Sequence, residues 1–192
     1  MSRWEPNTRE RLVRAALDLF VEQGYEATTV NQIAERAGGL TKTTFFRYFP
    51  DKREVLFAAG QQIHARVLAD AIAAAPDPAT PLQIVATALD ALAATFTDER
   101  REFSARLRDV IAGNGELRER AALKRAALAD ATAEALRKRG VTDPSASLAA
   151  ELGVRAFYCA YDRWAEPTNH QSLAEITRRE LDELRGAIAT LS

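Results

Sequence analysis

The sequence predicts an all-α protein of about nine helices, an N-terminal helix-turn-helix domain followed by a larger helical domain. Three observations carry this. Apolar residues recur at three- and four-residue spacing along most of the 192-residue chain. The segments with that spacing open on capping pairs, such as Thr29 with Gln32, Thr80 with Gln83 and Ser172 with Glu175. No stretch alternates apolar and polar residues as a half-buried strand does.

The first helix is expected over 8–23. Asn7 and Glu10 can form a cap pair, Leu12, Ala16, Leu19 and Phe20 make the apolar stripe, and Gly24 ends it. The second starts after Thr29, buries Ile33, Ala34 and Ala37, and stops at Gly38. Ala34 is small, as a close helix crossing requires. The third starts near Thr41. Phe45 and Phe49, four apart, share one face; Lys42, Thr43, Phe46 and Arg47 share another. The fourth is expected to open with Asp51 as cap and Glu54 at its third position, to bury Leu56, Ala59, Ile63 and Val67, and to run to about Ala75.

Pro76 to Pro81 breaks the pattern and is a connector. Thr80-Pro81 then starts a fifth helix lined by Leu82, Val85, Leu89, Leu92 and Phe96. A sixth spans about 98–112, a seventh about 116–139, and Gly140 closes the seventh. Asp143-Pro144 opens an eighth that reaches about Trp164. A ninth follows Ser172, with Leu173, Ile176, Leu184, Ile188 and Leu191 inward. The expected division is a domain over 1–54, with the two-helix motif at about 30–49, and a second domain over 55–192.

Composition excludes several classes. One cysteine, Cys159, rules out an internal disulfide, and it reads as a buried small hydrophobe. The two histidines, His64 and His170, lie far apart without cysteine neighbours, so no metal or cofactor site is expected. No Gly-rich phosphate loop, nucleophile elbow or His-Glu-x-x-His motif occurs, so no catalytic residue is assigned. No run approaches the ~18 apolar residues of a membrane-spanning helix, and Arg3, Glu5, Arg9, Glu10 and Arg11 interrupt any leader-like core. A cytoplasmic location without membrane contact is expected. Net charge is −1, and residues 1–54 hold nine Lys and Arg against eight Asp and Glu. Residues 36–53 nonetheless carry Arg36, Lys42, Arg47, Lys52 and Arg53 against Asp51 alone, a local basic patch able to meet phosphate.

Two helices joined by a glycine-containing turn, with the second apolar behind and polar in front, describe a DNA-reading helix-turn-helix. The string Ile33-Ala34, Ala37-Gly38, Thr44-Phe45-Phe46-Arg47-Tyr48-Phe49, Asp51-Lys52 closely resembles the N-terminal DNA-binding domain of TetR-family transcriptional regulators. The specific resemblance covers about residues 8–57. It implies major-groove contacts from Lys42, Thr43, Thr44 and Phe46, beside Thr41 and Arg47 on the same helix. It implies backbone or base contacts from Thr29 and Asn31, and phosphate contacts from Tyr48 and Lys52. Lys42 and Lys52 are both expected to be exposed. The chain departs from the family pattern twice. Phe46 stands where tyrosine is common, which keeps a ring but removes the hydroxyl. The turn Gly38-Gly39-Leu40-Thr41 is one residue longer than usual, which bears on which side chain meets which base.

In the second domain, Leu148, Leu152, Ala156 and Cys159 form one stripe of the eighth helix, and Val154, Phe157, Tyr158, Tyr161 and Trp164 another. A helix apolar on most sides is buried on most sides. It is either the central helix of a monomer or half of an interface. The family uses its last two helices as a two-fold dimer interface, which here implies Leu152, Leu184, Ile188 and Leu191. The resemblance also implies a small-molecule effector pocket, for which Phe96, Phe103, Leu107, Ile111, Phe157, Tyr158 and Tyr161 are the candidates. His64 reads as an exposed surface histidine, with a polar pocket contact as the alternative. The expected function is thus a homodimeric, effector-responsive regulator of a palindromic double-stranded operator, with repression as the family default. The alternative is an all-helical adaptor or small helical enzyme without DNA binding, which would lack salt-dependent DNA affinity.

Overall fold

The structure is a computed structural model and describes residues 8–190. The Asn7 cap, Leu191 and the side chain of Ala59 lie outside what is described. Nine α-helices and two short 3-10 turns account for most of that span. The helices are α1 (Thr8–Gln23), α2 (Val30–Arg36), α3 (Lys42–Tyr48), α4 (Ala58–Ala74), α5 (Pro81–Ala93), α6 (Arg101–Gly113), α7 (Gly115–Lys138), α8 (Ser145–Trp164) and α9 (Leu173–Ala189). No helix among the described residues is long and apolar enough to cross a membrane.

The capping boxes at Thr29, Thr80 and Ser172 are all present, each hydroxyl accepting from the amide three residues on. The fourth helix differs from its expected start. Asp51 Oδ1 accepts from the Glu54 amide at 3.0 Å, but the turn it caps is a 3-10 segment, Arg53–Leu56. A 3-10 turn advances 120° per residue rather than 100°. The stripe beyond it is therefore out of phase with the one read from Leu56. Ile63 is 57% exposed, and Leu68 and Ile72 are buried instead.

The chain divides into two compact units. One comprises Met1–Gly60 with Arg106–Ala121; the other comprises Gln61–Ala105 with Ala122–Ser192. In the first unit α1 buries Leu12, Ala16, Leu17 and Phe20 beside Ile33 and Ala34 of α2 and Phe45 of α3. The second unit's core joins α4, α5, α7, α8 and α9, with Trp164, Phe157, Leu68, Ile72, Leu89 and Leu92 almost fully enclosed. Each such side chain contributes roughly 1.5–3 kcal/mol on burial. Gly153 lets α8 approach α5 closely: a Cβ there would lie 2.2 Å from Val85 Cγ1. Arg101 ties the α8–α9 link in place, donating to the carbonyls of Trp164 (3.1 Å), Asn169 (2.7 Å) and Gln171 (3.2 Å).

Candidate nucleic-acid interface

The site is built on α3. Thr41 caps it, its Oγ1 accepting from the Thr44 amide at 3.1 Å and lying 3.0 Å from the Thr44 hydroxyl. Phe45 and Phe49 are fully buried, their centroids 5.3 Å apart, and fix the helix to its unit. The opposite face is open. Lys42, Thr43, Phe46, Arg47 and Tyr48 are all exposed, and Thr44 is half-buried. Lys42 Nζ lies 5.9 Å from the centroid of Phe46, a residue 45% exposed whose ring meets that of Phe45 edge-on at 5.5 Å. Among the described residues neither Lys42 nor Arg47 has an ion-pair partner. Thr29 and Asn31 are exposed at the start of α2. The Thr29 hydroxyl is already engaged with Gln32, accepting its amide and donating to Oε1 at 2.9 Å.

The basic patch is smaller than its composition. Arg36 makes a two-pronged pair with Glu22 at 2.9 and 2.8 Å, and that hydrogen bond holds the Glu22 carboxyl below its ordinary pKa. Arg53 is paired with Asp51 at 3.1 Å. Lys52 is not an exposed cation. Its Nζ donates to the carbonyls of Tyr25 (2.7 Å) and Thr28 (3.0 Å) and sits 4.0 Å from the centroid of the Tyr25 ring. A lysine so held acts first as a strap between the α1–α2 link and the segment after α3. Tyr25 is itself buried, and its hydroxyl donates to Glu116 at 3.2 Å. Burial, then the Glu116 charge, pushes the phenol well above its usual pKa, so it stays protonated as a donor.

Leaving α2, the chain makes an enlarged turn. Gly38 (φ 103°) and Gly39 (φ 71°) both take left-handed backbone conformations that side chains disfavour. The Leu40 amide then reaches back six residues to the Ala34 carbonyl at 2.9 Å. The end of α7 has the ordinary version, one glycine at positive φ and a five-residue reach from Val141 to Leu136. The α2–α3 turn is thus closed by a hydrogen bond one residue longer than the one that ends α7.

The expected pocket residues are divided between the two units. Phe96, Phe157 and Tyr161 belong to an aromatic cluster of the second unit, with Phe96 5.7 Å from both other rings and 6.0 Å from Trp164. Tyr158 lies beside Phe157 and under the Arg125 guanidinium, 4.5 Å from its ring centroid. His64, read as a surface residue, is instead half-buried with its ring 5.3 Å from Phe96, and burial lowers its pKa. Phe103, Leu107 and Ile111 are half-buried on α6, Phe103 in the second unit and the other two in the first. A cleft of about 230 Å³ adjoins the cluster, lined by Phe96, Trp164, Thr97, Asp98 and Leu173 among others. Cys159 is half-buried rather than buried. Of the expected dimer residues, Leu152 and Leu184 are half-buried and Ile188 is 46% exposed; Leu148 on α8, not in that set, is 60% exposed.

Known proteins with the same features are regulators. Residues 12–59 match the sequence profile of the bacterial regulatory proteins of the tetR family. The HTH-type transcriptional regulator TcmR of Streptomyces glaucescens is 42% identical over 95 residues, which is 50% of this chain and 41% of that protein. The chain thus aligns with about two-fifths of that curated relative's length. Among solved structures, Thermus thermophilus FadR, a TetR-family transcriptional repressor in complex with lauroyl-CoA, superposes with a TM-score of 0.55 at 28% identity over 91% of each chain. Bacillus subtilis FadR, in complex with stearoyl-CoA, gives a TM-score of 0.57 at 16% identity over 90% of this chain and 95% of its own, a likeness of fold.

Proposed function

From the premise that this chain belongs, through residues 12–59, to the tetR family of bacterial regulatory proteins, we propose that it is a DNA-binding transcriptional regulator, a cytoplasmic repressor that releases its operator when it binds a small, mostly apolar effector. The observation that carries this reading is α3. Two buried phenylalanines anchor it, and the face away from them presents a lysine and an arginine that have no ion-pair partner among the described residues, a threonine hydroxyl and two exposed rings. Base edges need donors and apolar contacts; phosphates need cations. This face offers all of them. Phe46 suits a sugar or a thymine methyl, since it has no hydroxyl to donate. The test is selection from a random duplex library with the purified protein. A single enriched, salt-sensitive sequence is expected; no enrichment would refute the reading.

The operator is expected to be palindromic, because a two-fold dimer places two copies of α3 on matching half-sites. The proposed interface uses Leu148, Leu152, Leu184 and Ile188, apolar residues that their own unit leaves half-buried or exposed. Ile188→Asp would put an unpaired charge in that interface and should convert the dimer to monomer at micromolar concentration. Sedimentation equilibrium checks it, and an unchanged dimer would exclude α9 from the interface.

The effector is proposed to enter beside Phe96, Phe157 and Tyr161. These rings, with the neutral His64 imidazole and the adjoining cleft, give an apolar site with a few polar groups, as small-molecule sites do. The lauroyl-CoA held by the Thermus thermophilus neighbour has an acyl chain of that apolar kind. Such a ligand releases DNA only by preferring the non-binding conformation. Tyr161→Ala is expected to raise the effector concentration needed for release by about tenfold, while leaving DNA affinity unchanged without effector. Titration of lauroyl-CoA into the operator complex of both proteins measures this; identical release curves would move the site elsewhere.

A further inference from the structure

Arg11 of α1 lies behind the enlarged α2–α3 turn. Its Nε donates to the Ala37 carbonyl at 2.8 Å, and Nη2 lies 3.5 Å from the Gly38 carbonyl. A Cβ on Gly38 would come within 1.9 Å of that same Nη2, so the bare glycine is what admits the guanidinium. Gly39 differs: its φ is positive, but a Cβ there would meet nothing within 4 Å. Gly38 therefore makes room for Arg11, and Gly39 supplies the added length. Leu40, half-buried, closes the turn on Ala34, and Thr41 begins the cap of α3 at once. No free residue remains in which a change of turn geometry could dissipate before Lys42.

We propose that Arg11 is a positioning residue for sequence recognition: by clamping the Gly38–Gly39 turn it fixes the angle of α3, and so determines which bases the chain prefers without touching them. This rests on the DNA-binding reading above. The guanidinium satisfies carbonyls that α2 leaves free at its C-terminus, where cations are favoured. It does so from α1, which the core holds through Leu12, Ala15 and Ala16. The turn is thus pinned to a rigid element rather than left as a hinge between two seven-residue helices. Phosphate contacts tolerate small rotations of α3, because charge attraction carries no sequence information; base contacts do not.

The experiment compares wild type, Arg11→Met, Arg11→Lys and deletion of Gly39, each used to select sites from a random duplex library. Arg11→Met keeps the aliphatic stem and removes the donors. It is expected to change the preferred bases under the N-terminus of α3 and to lower the preference over random DNA by about tenfold, the cost of one mismatched contact. Its non-specific binding and salt slope should match wild type. Arg11→Lys retains a donor toward Ala37 and should restore the wild-type site. Deleting Gly39 should also shift the preferred site, which keeps the idea testable if Arg11→Met fails to fold. If Arg11→Met and the Gly39 deletion both select the wild-type site with wild-type preference, the proposal is overturned. If wild type itself enriches no sequence, the DNA-binding reading has failed instead.

Discussion

Replacing Lys42 and Arg47 together by alanine is expected to remove specific DNA binding and leave the fold untouched. Both side chains are exposed on α3 and neither holds an ion pair among the described residues, so their loss should change stability by no more than about 0.5 kcal/mol. At the DNA the two losses should lower affinity for the selected operator by roughly 100-fold, taking about 1–3 kcal/mol for each contact. The salt slope should fall by about 2 if both groups meet phosphate, since each neutralised phosphate contributes about 0.9. Fluorescence anisotropy between 50 and 200 mM salt reads both quantities. A double variant that binds with wild-type affinity and slope would show that α3 does not face DNA.

Lys52→Met should behave in the opposite way. The resemblance makes this lysine a phosphate contact, but its ammonium lies between two carbonyls and a tyrosine ring. Methionine keeps the stem, strands the Thr28 carbonyl and leaves the Tyr25 carbonyl with the Thr28 amide as its donor. Loss of two charge-assisted hydrogen bonds and a cation–π contact should cost about 2–4 kcal/mol, well above the surface norm. Thermal melting should show the N-terminal unit loosening, with weaker DNA binding as a consequence. The salt slope of the folded fraction should stay near wild type. An unaltered melting temperature with a slope reduced by about 1 would instead return Lys52 to the phosphate backbone.

The two lysines mark where the sequence can be read and where it cannot. Capping pairs are chemistry between residues three apart, so Thr29–Gln32, Thr80–Gln83 and Ser172–Glu175 were visible in the chain and are present in the fold. The alternation of Phe45 and Phe49 with Lys42, Phe46 and Arg47 is equally local, and it correctly separates the buried face of α3 from the open one. Lys52 depends on carbonyls 27 and 24 residues away, and Arg36 on a carboxylate 14 residues away. No local pattern records such partners, so counting basic residues overstated the free charge. The stripe of α4 failed for a different reason: helical phase was carried across Asp51–Leu56, where the backbone winds more tightly. The surface reading of His64 failed because a lone histidine has no periodic signature, and the Phe96 ring it packs beside is distant in sequence.

The make-up of the N-terminal unit bears on how the protein can be dissected. Residues 106–121 supply Arg106 to Asp18 (2.6 Å), Asn114 to Glu26 (3.0 Å), Glu116 to Tyr25 and Arg120 to the buried carboxylate of Glu54. A polypeptide ending at Gly60 would contain all of the helix-turn-helix and none of these partners. Tyr25 would lose its acceptor while still enclosing Lys52, and Leu117, fully buried in the intact chain, would be missing from the interior. Grafting the first 60 residues onto another protein should therefore yield a weakly folded, poorly discriminating binder. A transplant that also carries 106–121, joined through a short linker, should recover the behaviour of the parent.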